Sequence, residues 1–238
     1  MTDSPLYFRQ LLAGRDFAQD RPLAADMLNF VYLIGDKDSR ECVVVDPAWD
    51  IQGILDRIAE DDMKLAGVLA THYHPDHIGG DLLGMAEVEG LRELLSLHPV
   101  PVHCQADETE WIRRSIGLAP TDLTPHESGD ELLVGDVPVR LIHTPGHTPG
   151  SQCFLVGNRL VAGDTLFLQG CGRTDLPGGD PAEMYRSLHQ RLAKLPDDTL
   201  LFPGHRYSPA DSALLGDTRK TNQVFRVQSL DDWLRFMG

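Results

Sequence analysis

Runs of apolar residues along the chain keep two periods, one of strands and one of helices. The segments "FVYLIG" (30–35) and "CVVVDP" (42–47) are rich in β-branched and aromatic residues and flank the turn-like "DKDSR", which predicts a hairpin. Ile51, Ile54, Leu55 and Ile58 then follow at the spacing of an amphipathic helix, and "AGVLAT" (66–71) returns to the short apolar run of a buried strand. Further on, "ELLVGDVPVRLIHTPG", "SQCFLVGNRLVAGD" and "TLLFPGH" each give short strands that end in turns. A helix over 181–195 has a clear start: Asp180 as cap, Pro181 in the first position and Glu183 where a capping box places its acid. Met184, Tyr185, Leu188, Leu192 and Leu195 share one face, and Pro196 stops it. A last helix repeats the pattern, with Ser229 as cap, Asp232 three residues on, and Leu230, Trp233, Leu234 and Met237 facing the body of the protein. No solenoid repeat, low-complexity tract or Gly/Ser linker divides the pattern, so one domain over residues 1–238 is expected.

Composition narrows the function classes. The chain has 238 residues, 42% of them apolar, enough to build a sizeable core. Its net charge is −15, and the acidic residues are scattered rather than gathered in a tail, which argues against bulk attraction to nucleic acid or an anionic membrane. No apolar run is long enough to span a bilayer, and "MTDSPLYFRQ" has neither the cationic start nor the apolar run of a secretion signal, so a cytoplasmic location is expected. Cys42, Cys104, Cys153 and Cys171 lie far apart, with no CxxC pair, and are expected to be reduced and mostly buried.

The chemistry gathers where strands give out. "THYHPDHIGGD" (71–81) follows an apolar strand directly; His72 and His74 alternate about Tyr73, and after the turn at Pro75 come Asp76 and His77. His147 in "HTPGHTPGS", Asp164 in "LVAGDTL" and His205 in "LLFPGHRY" each sit just after an apolar strand with glycine beside them. Imidazoles and carboxylates emerging from one end of several strands suit zinc, iron or manganese, and a carboxylate can bridge a pair of ions. Asp76 is also placed to cap the helix that follows it. His98, His103, His126, His143 and His189 stand alone and are read as surface or hydrogen-bonded structural residues.

"HYHPDH", followed in order by an isolated His, an Asp after "AG" and a His after "PG", resembles the ligand pattern of the metallo-β-lactamase superfamily over nearly the whole chain. The resemblance implies an α/β fold, the αββα sandwich of two facing β-sheets flanked by helices. It also implies a first metal site of His72, His74 and His147, a second of Asp76, His77 and His205, and Asp164 bridging two divalent ions, zinc foremost, with iron or manganese as alternatives. The β-lactamases of the main zinc branch carry cysteine in place of Asp164, and the polyanionic substrate of the RNA-processing branch suits a charge of −15 poorly. The glyoxalase-II-like branch remains. "GCGRTDLPGGD" (170–180) resembles the corresponding loop of hydroxyacylglutathione hydrolases and, in "GCGRTD", of persulfide dioxygenases, and the opening "FRQLL…YLIGDKDSRECVVVDP" is similar to the latter. Both groups act on glutathione thiol derivatives.

The expectation is therefore a hydrolase that cleaves a small thioester with a metal-bridging hydroxide, formed from a water whose pKa is lowered to roughly 7. Asp76 would orient the water, and Arg173 would position either its loop or a substrate carboxylate. Cys171 and the "GRTD" loop should line the cleft. The alternative is a dioxygenase holding a single Fe(II) on His72, His147 and Asp164; a non-catalytic metal-binding module is the third reading. "DLLGMAEVEGLRELLSLH", within 80–100, carries Leu91, Leu94 and Leu95 at helical spacing and is read as either a rim over the cleft or a helix packed on the surface.

Overall fold

The computed structural model describes residues 5–237. Among them, two six-stranded sheets lie face to face. The first runs in space through Leu6–Leu12, Phe30–Asp36, Glu41–Val45, Lys64–Leu69, Val102–Gln105 and Leu123–His126. The second runs through Ala213–Leu214, Leu200–Phe202, Arg159–Val161, Gln152–Val156, Val137–His143 and Glu131–Val134. Alternation along the strands supplies two cores at once. Phe30, Tyr32 and Ile34 point between the sheets, where they meet Val139, Leu141, Phe154 and Phe202. Val31 and Leu33 point outward, into the cluster formed with Ile51, Ile54, Ile58, Leu91, Leu94 and Ile112. A strand buried on both faces has to read as a continuous apolar run, as "FVYLI" does. Outside the second sheet, Met184, Leu188, Leu192 and Trp233 form a third cluster, completing helix–sheet–sheet–helix layering.

The helix Ile51–Glu60 and the strands expected from the sequence are present, and the hairpin pairs Tyr32 with Val45 and Asp36 with Glu41. The helix expected over 181–195 changes character along its length. It is α-helical over Pro181–Arg186, widens to π turns over Ser187–Arg191 and tightens to a 3-10 turn at Leu192–Lys194. Asp180 accepts from the Ala182 and Glu183 amides, but Glu183 does not return to the cap; its carboxylate binds Arg186 at 2.5 Å and Arg191 at 3.1 Å. At the last helix, Leu230–Met237, Ser229 Oγ accepts from the Asp232 amide and donates to its carboxylate, as expected. Strands Leu6–Leu12 and Val102–Gln105 are not evident in the pattern. Arg9 and Gln10 interrupt the first, and the second buries His103 and Gln105, so neither shows a run of apolar residues.

The segment over 80–100 divides. Gly80–Asp81 and Glu87–Val88 pair as a small hairpin whose Leu82 and Leu83 line the cleft, while Leu91–Leu97 is a helix that sinks Leu91 and Leu94 into the core. Cys42, Cys104 and Cys153 are buried, Cys171 is partly exposed, and all four are free thiols. No helix of the described residues is long and apolar enough to cross a membrane.

Candidate metal centre

Strand ends deliver the chemistry to one edge of the sandwich. His72 and His74 follow Lys64–Leu69, His147 follows Val137–His143, Asp164 follows Arg159–Val161, and His205 follows Leu200–Phe202. Pro75 opens a single helical turn, Pro75–Ile78, that carries Asp76 and His77 inward. The Asp76 side chain does not cap this turn; it accepts from Asn29 Nδ2 at 3.0 Å.

All seven side chains singled out as ligands surround one point. Ligand atoms of His72, His74 and His147 lie within 4.8 Å of one another, as do those of Asp76, His77 and His205. Asp164 stands between the two sets: Oδ1 is 3.4 Å from His77 Nε2, while Oδ2 is 3.6 Å from His147 Nε2 and 3.4 Å from His205 Nε2. The approach is close on every side, since a Cβ on Gly204 would come within 2.3 Å of Asp164 Oδ1.

Hydrogen bonds to the outer ring nitrogens fix the imidazoles. His147 Nδ1 bonds the Arg173 carbonyl at 2.7 Å, His205 Nδ1 the Met27 carbonyl at 2.8 Å and His77 Nδ1 the Asp46 carboxylate at 2.9 Å. Thr71 Oγ1 gives its hydrogen to Asp46, so it accepts from His72 Nδ1 at 2.9 Å. In its neutral form each of these four imidazoles therefore turns an Nε2 lone pair inward. His72 Nε2, His147 Nε2 and Asp164 Oδ1 are buried without a hydrogen-bond partner, and the Nε2 atoms of His77 and His205 face each other at 3.1 Å. Lone pairs so placed are open to a cation among them, and this donor set fits a divalent ion.

Charge divides the two clusters. Burial pushes His72 well below its ordinary value and His74 down to about 3, so both stay neutral. Burial also lowers His205 and His77, but Asp164 and Asp76 more than offset it and leave both raised. Burial would raise both carboxyls, yet His77 and His205 hold Asp76, and His205 and His77 hold Asp164, well below the carboxylate range.

Several supporting residues escaped the sequence reading. Asp46, just past strand Glu41–Val45, accepts from the Thr71 amide at 2.7 Å as well as from Thr71 Oγ1 and His77, so its oxygens orient ligands rather than face the cluster. Like Asp164, Asp46 stands just past an apolar strand, in "VVVDP". Asn29 takes the Trp49 indole N–H on its oxygen at 3.0 Å, which aims its amide nitrogen at Asp76, His77 and His205. Glu108 is fully buried and ties the two histidine loops together, accepting from the Tyr73 amide, Thr148 Oγ1 and the Gly150 amide. Nothing in the sequence near Glu108 marks it; only the fold brings it to those loops.

A cleft of about 650 Å³ opens over the cluster. His74, Asp76, His147, Asp164 and His205 reach it, and Cys171, Gly172 and Arg173 line it, as expected for the "GRTD" loop. The Arg173 guanidinium bonds both oxygens of Asp175, at 2.9 and 2.7 Å.

Residues 26–205 match the family model described as the metallo-beta-lactamase superfamily. The chain is 38% identical over 185 residues to a hydroxyacylglutathione hydrolase of Aeromonas hydrophila, covering 76% of this chain and 62% of that one. It is 34% identical over 212 residues to the mitochondrial persulfide dioxygenase ETHE1 of Homo sapiens, covering 88% and 76%. The crystal structure of ETHE1 from Myxococcus xanthus superposes with a TM-score of 0.75 at 30% identity, covering 97% of this chain and 89% of that one.

Proposed function

We propose, from the premise that the chain belongs to the metallo-β-lactamase superfamily, that it is a binuclear metal-dependent hydrolase of small thioesters, of the kind its Aeromonas relative's name describes. The observation that carries this reading is the position of Asp164, whose two oxygens face His77 on one side and His147 and His205 on the other. His72, His74 and His147 would hold one ion, Asp76, His77 and His205 the other, and Asp164 both. When bound, such ions supply a Lewis acid for an acyl carbonyl and a water that ionises near pH 7.

The chain's own residues hold and orient. Asp76 Oδ2, fixed by Asn29, is the acceptor that turns the attacking water toward the carbonyl. Thr71, Asp46 and the carbonyls of Met27 and Arg173 keep the imidazoles in the tautomer with Nε2 inward. A thiolate leaves without a general acid, because its thiol pKa is only about 8.5. Arg173 serves the loop: its guanidinium is held by Asp175 while its carbonyl holds His147.

A second reading has its own observation. His72 Nε2 and His147 Nε2 are buried without partners and Asp164 Oδ2 lies 3.6 Å from His147 Nε2, donor types that suit a mononuclear iron centre, and the human relative is named a persulfide dioxygenase. Metal content decides between them. In protein purified without added metal, we expect two ions per chain, loss of one in His74→Ala, and thioester hydrolysis reduced on the order of 100-fold. One iron per chain that survives His74→Ala, with oxygen uptake on glutathione persulfide and no thioester cleavage, would put the dioxygenase in its place.

A further inference from the structure

We infer that the cleft takes thioesters with an uncharged, apolar acyl chain in preference to a short hydroxyacyl group on glutathione; the inference rests on the hydrolase reading above and names its substrate class. The walls beyond the metal ligands are contributed by Met27, Leu82, Leu83, Phe167, Leu176 and Tyr207. Charge on those walls is of the wrong sign for an anionic thiol. A glutathione conjugate is a net anion with two carboxylates, whereas beyond the proposed ligands the cation among the described lining residues is Arg173, already bound through two hydrogen bonds to Asp175. Asp81 adds a carboxylate to the same cleft.

Leu83 is an independent sign. It sits at the tip of the hairpin over the cleft, 82% exposed, with its backbone at φ 54, a left-handed conformation that a branched-chain residue seldom adopts. Met85 beside it is 66% exposed. The left-handed backbone of Leu83 and Gly84 makes the two-residue hairpin turn closed by the Met85 amide on the Leu82 carbonyl, and the turn holds Leu83 at the rim of the cleft, where an acyl chain lying along it would cover it. The volume of about 650 Å³ is that of a small-molecule site and leaves room for a chain longer than lactoyl.

The test pairs turnover with binding. Using metal-loaded protein, kcat/KM is measured for acetyl, butanoyl, hexanoyl and octanoyl thioesters of the uncharged thiol N-acetylcysteamine and for S-lactoylglutathione. We expect a rise of about 3-fold per methylene until the cleft is filled, and an octanoyl thioester preferred to S-lactoylglutathione at least 10-fold. Leu83→Asp should cut the octanoyl-to-acetyl ratio about 10-fold, a ratio that partial unfolding alone leaves in place. In parallel, binding of the non-hydrolysable thioethers S-octyl-N-acetylcysteamine, S-methyl-N-acetylcysteamine and S-methylglutathione is measured by calorimetry. No dependence on chain length, or tighter binding of the glutathione thioether than of either N-acetylcysteamine thioether, overturns the inference whether or not hydrolysis occurs. Tight S-octyl binding without turnover of any thioester upholds the apolar cleft and removes the hydrolase reading instead.

Discussion

The two side-chain clusters both border Asp164 and yet are finished differently. Around His72, His74 and His147 the protein supplies no donor: two of the three inward nitrogens are buried and bare, and burial keeps the imidazoles neutral. Around Asp76, His77 and His205 it supplies the Asn29 amide, 3.0 Å from Asp76 Oδ2 and 3.4 Å from each Nε2, together with carboxylates that favour a proton on the imidazoles. The first cluster has no donor from the protein on His72 Nε2 or His147 Nε2, whereas the second has a protein donor and a proton as substitutes for a metal. On the binuclear reading, a metal has more to gain at the first cluster, because nothing there must be displaced or deprotonated before it binds.

The comparison breaks most severely at the bare cluster. His147→Ala removes one of the two buried nitrogens that have no protein partner, and we expect loss of the first ion and a fall in thioester hydrolysis on the order of 1,000-fold. Bound metal per chain and initial rates check this, and retention of both ions would show that the first cluster is not a site. Gly204→Ala strikes the shared carboxylate, since its Cβ would stand 2.3 Å from Asp164 Oδ1. Both ions should weaken together, on the order of 100-fold by competition with a chelator; a loss confined to one ion would mean that Asp164 is not shared.

Asn29→Ala touches the second cluster alone. Affinity for the second ion should fall roughly 10-fold, as Asp76 loses the amide that orients it, with the first ion unchanged. A rise in second-ion affinity would instead make Asn29 a competitor of the metal.

Glu108→Gln has the smallest expected effect on the ions and acts on stability. Burial pushes Glu108 up to about 7 from 4.5, against the pull of its three donors. The folded chain thus keeps a proton that the unfolded chain has released, so this group's contribution is full below pH 4.5 and is lost as the pH rises to about 7. The stability gap between wild type and Glu108→Gln should narrow across that window in urea titrations at fixed metal, and a constant gap would show that Glu108 titrates normally.

Much of this was legible along the chain because of where the information lies. His72, His74, Asp76 and His77 are packed into one short string, and His147, Asp164 and His205 come shortly after apolar strands, in the order that carries the family resemblance. The double-faced burial of Phe30–Asp36 shows in its unbroken apolar run. Strand Val102–Gln105 was hidden because His103 and Gln105 satisfy their polar atoms with His126 and the Asp107 amide, partners that a local pattern does not reveal.

What the sequence determined by itself was the set of ligand types and the strand ends that present them, since both depend on short-range order: a period of two, a turn, a proline. Tertiary structure alone decided how each ligand is held. Asn29 precedes an antiparallel strand, Met27 and Arg173 act through carbonyl oxygens that every residue possesses, and Glu108 lies on a helical turn remote in sequence from the loops it joins. Hydrogen bonds of that kind depend on position in space, not on residue pattern, and they are what separates a bare cluster from one the protein has partly filled.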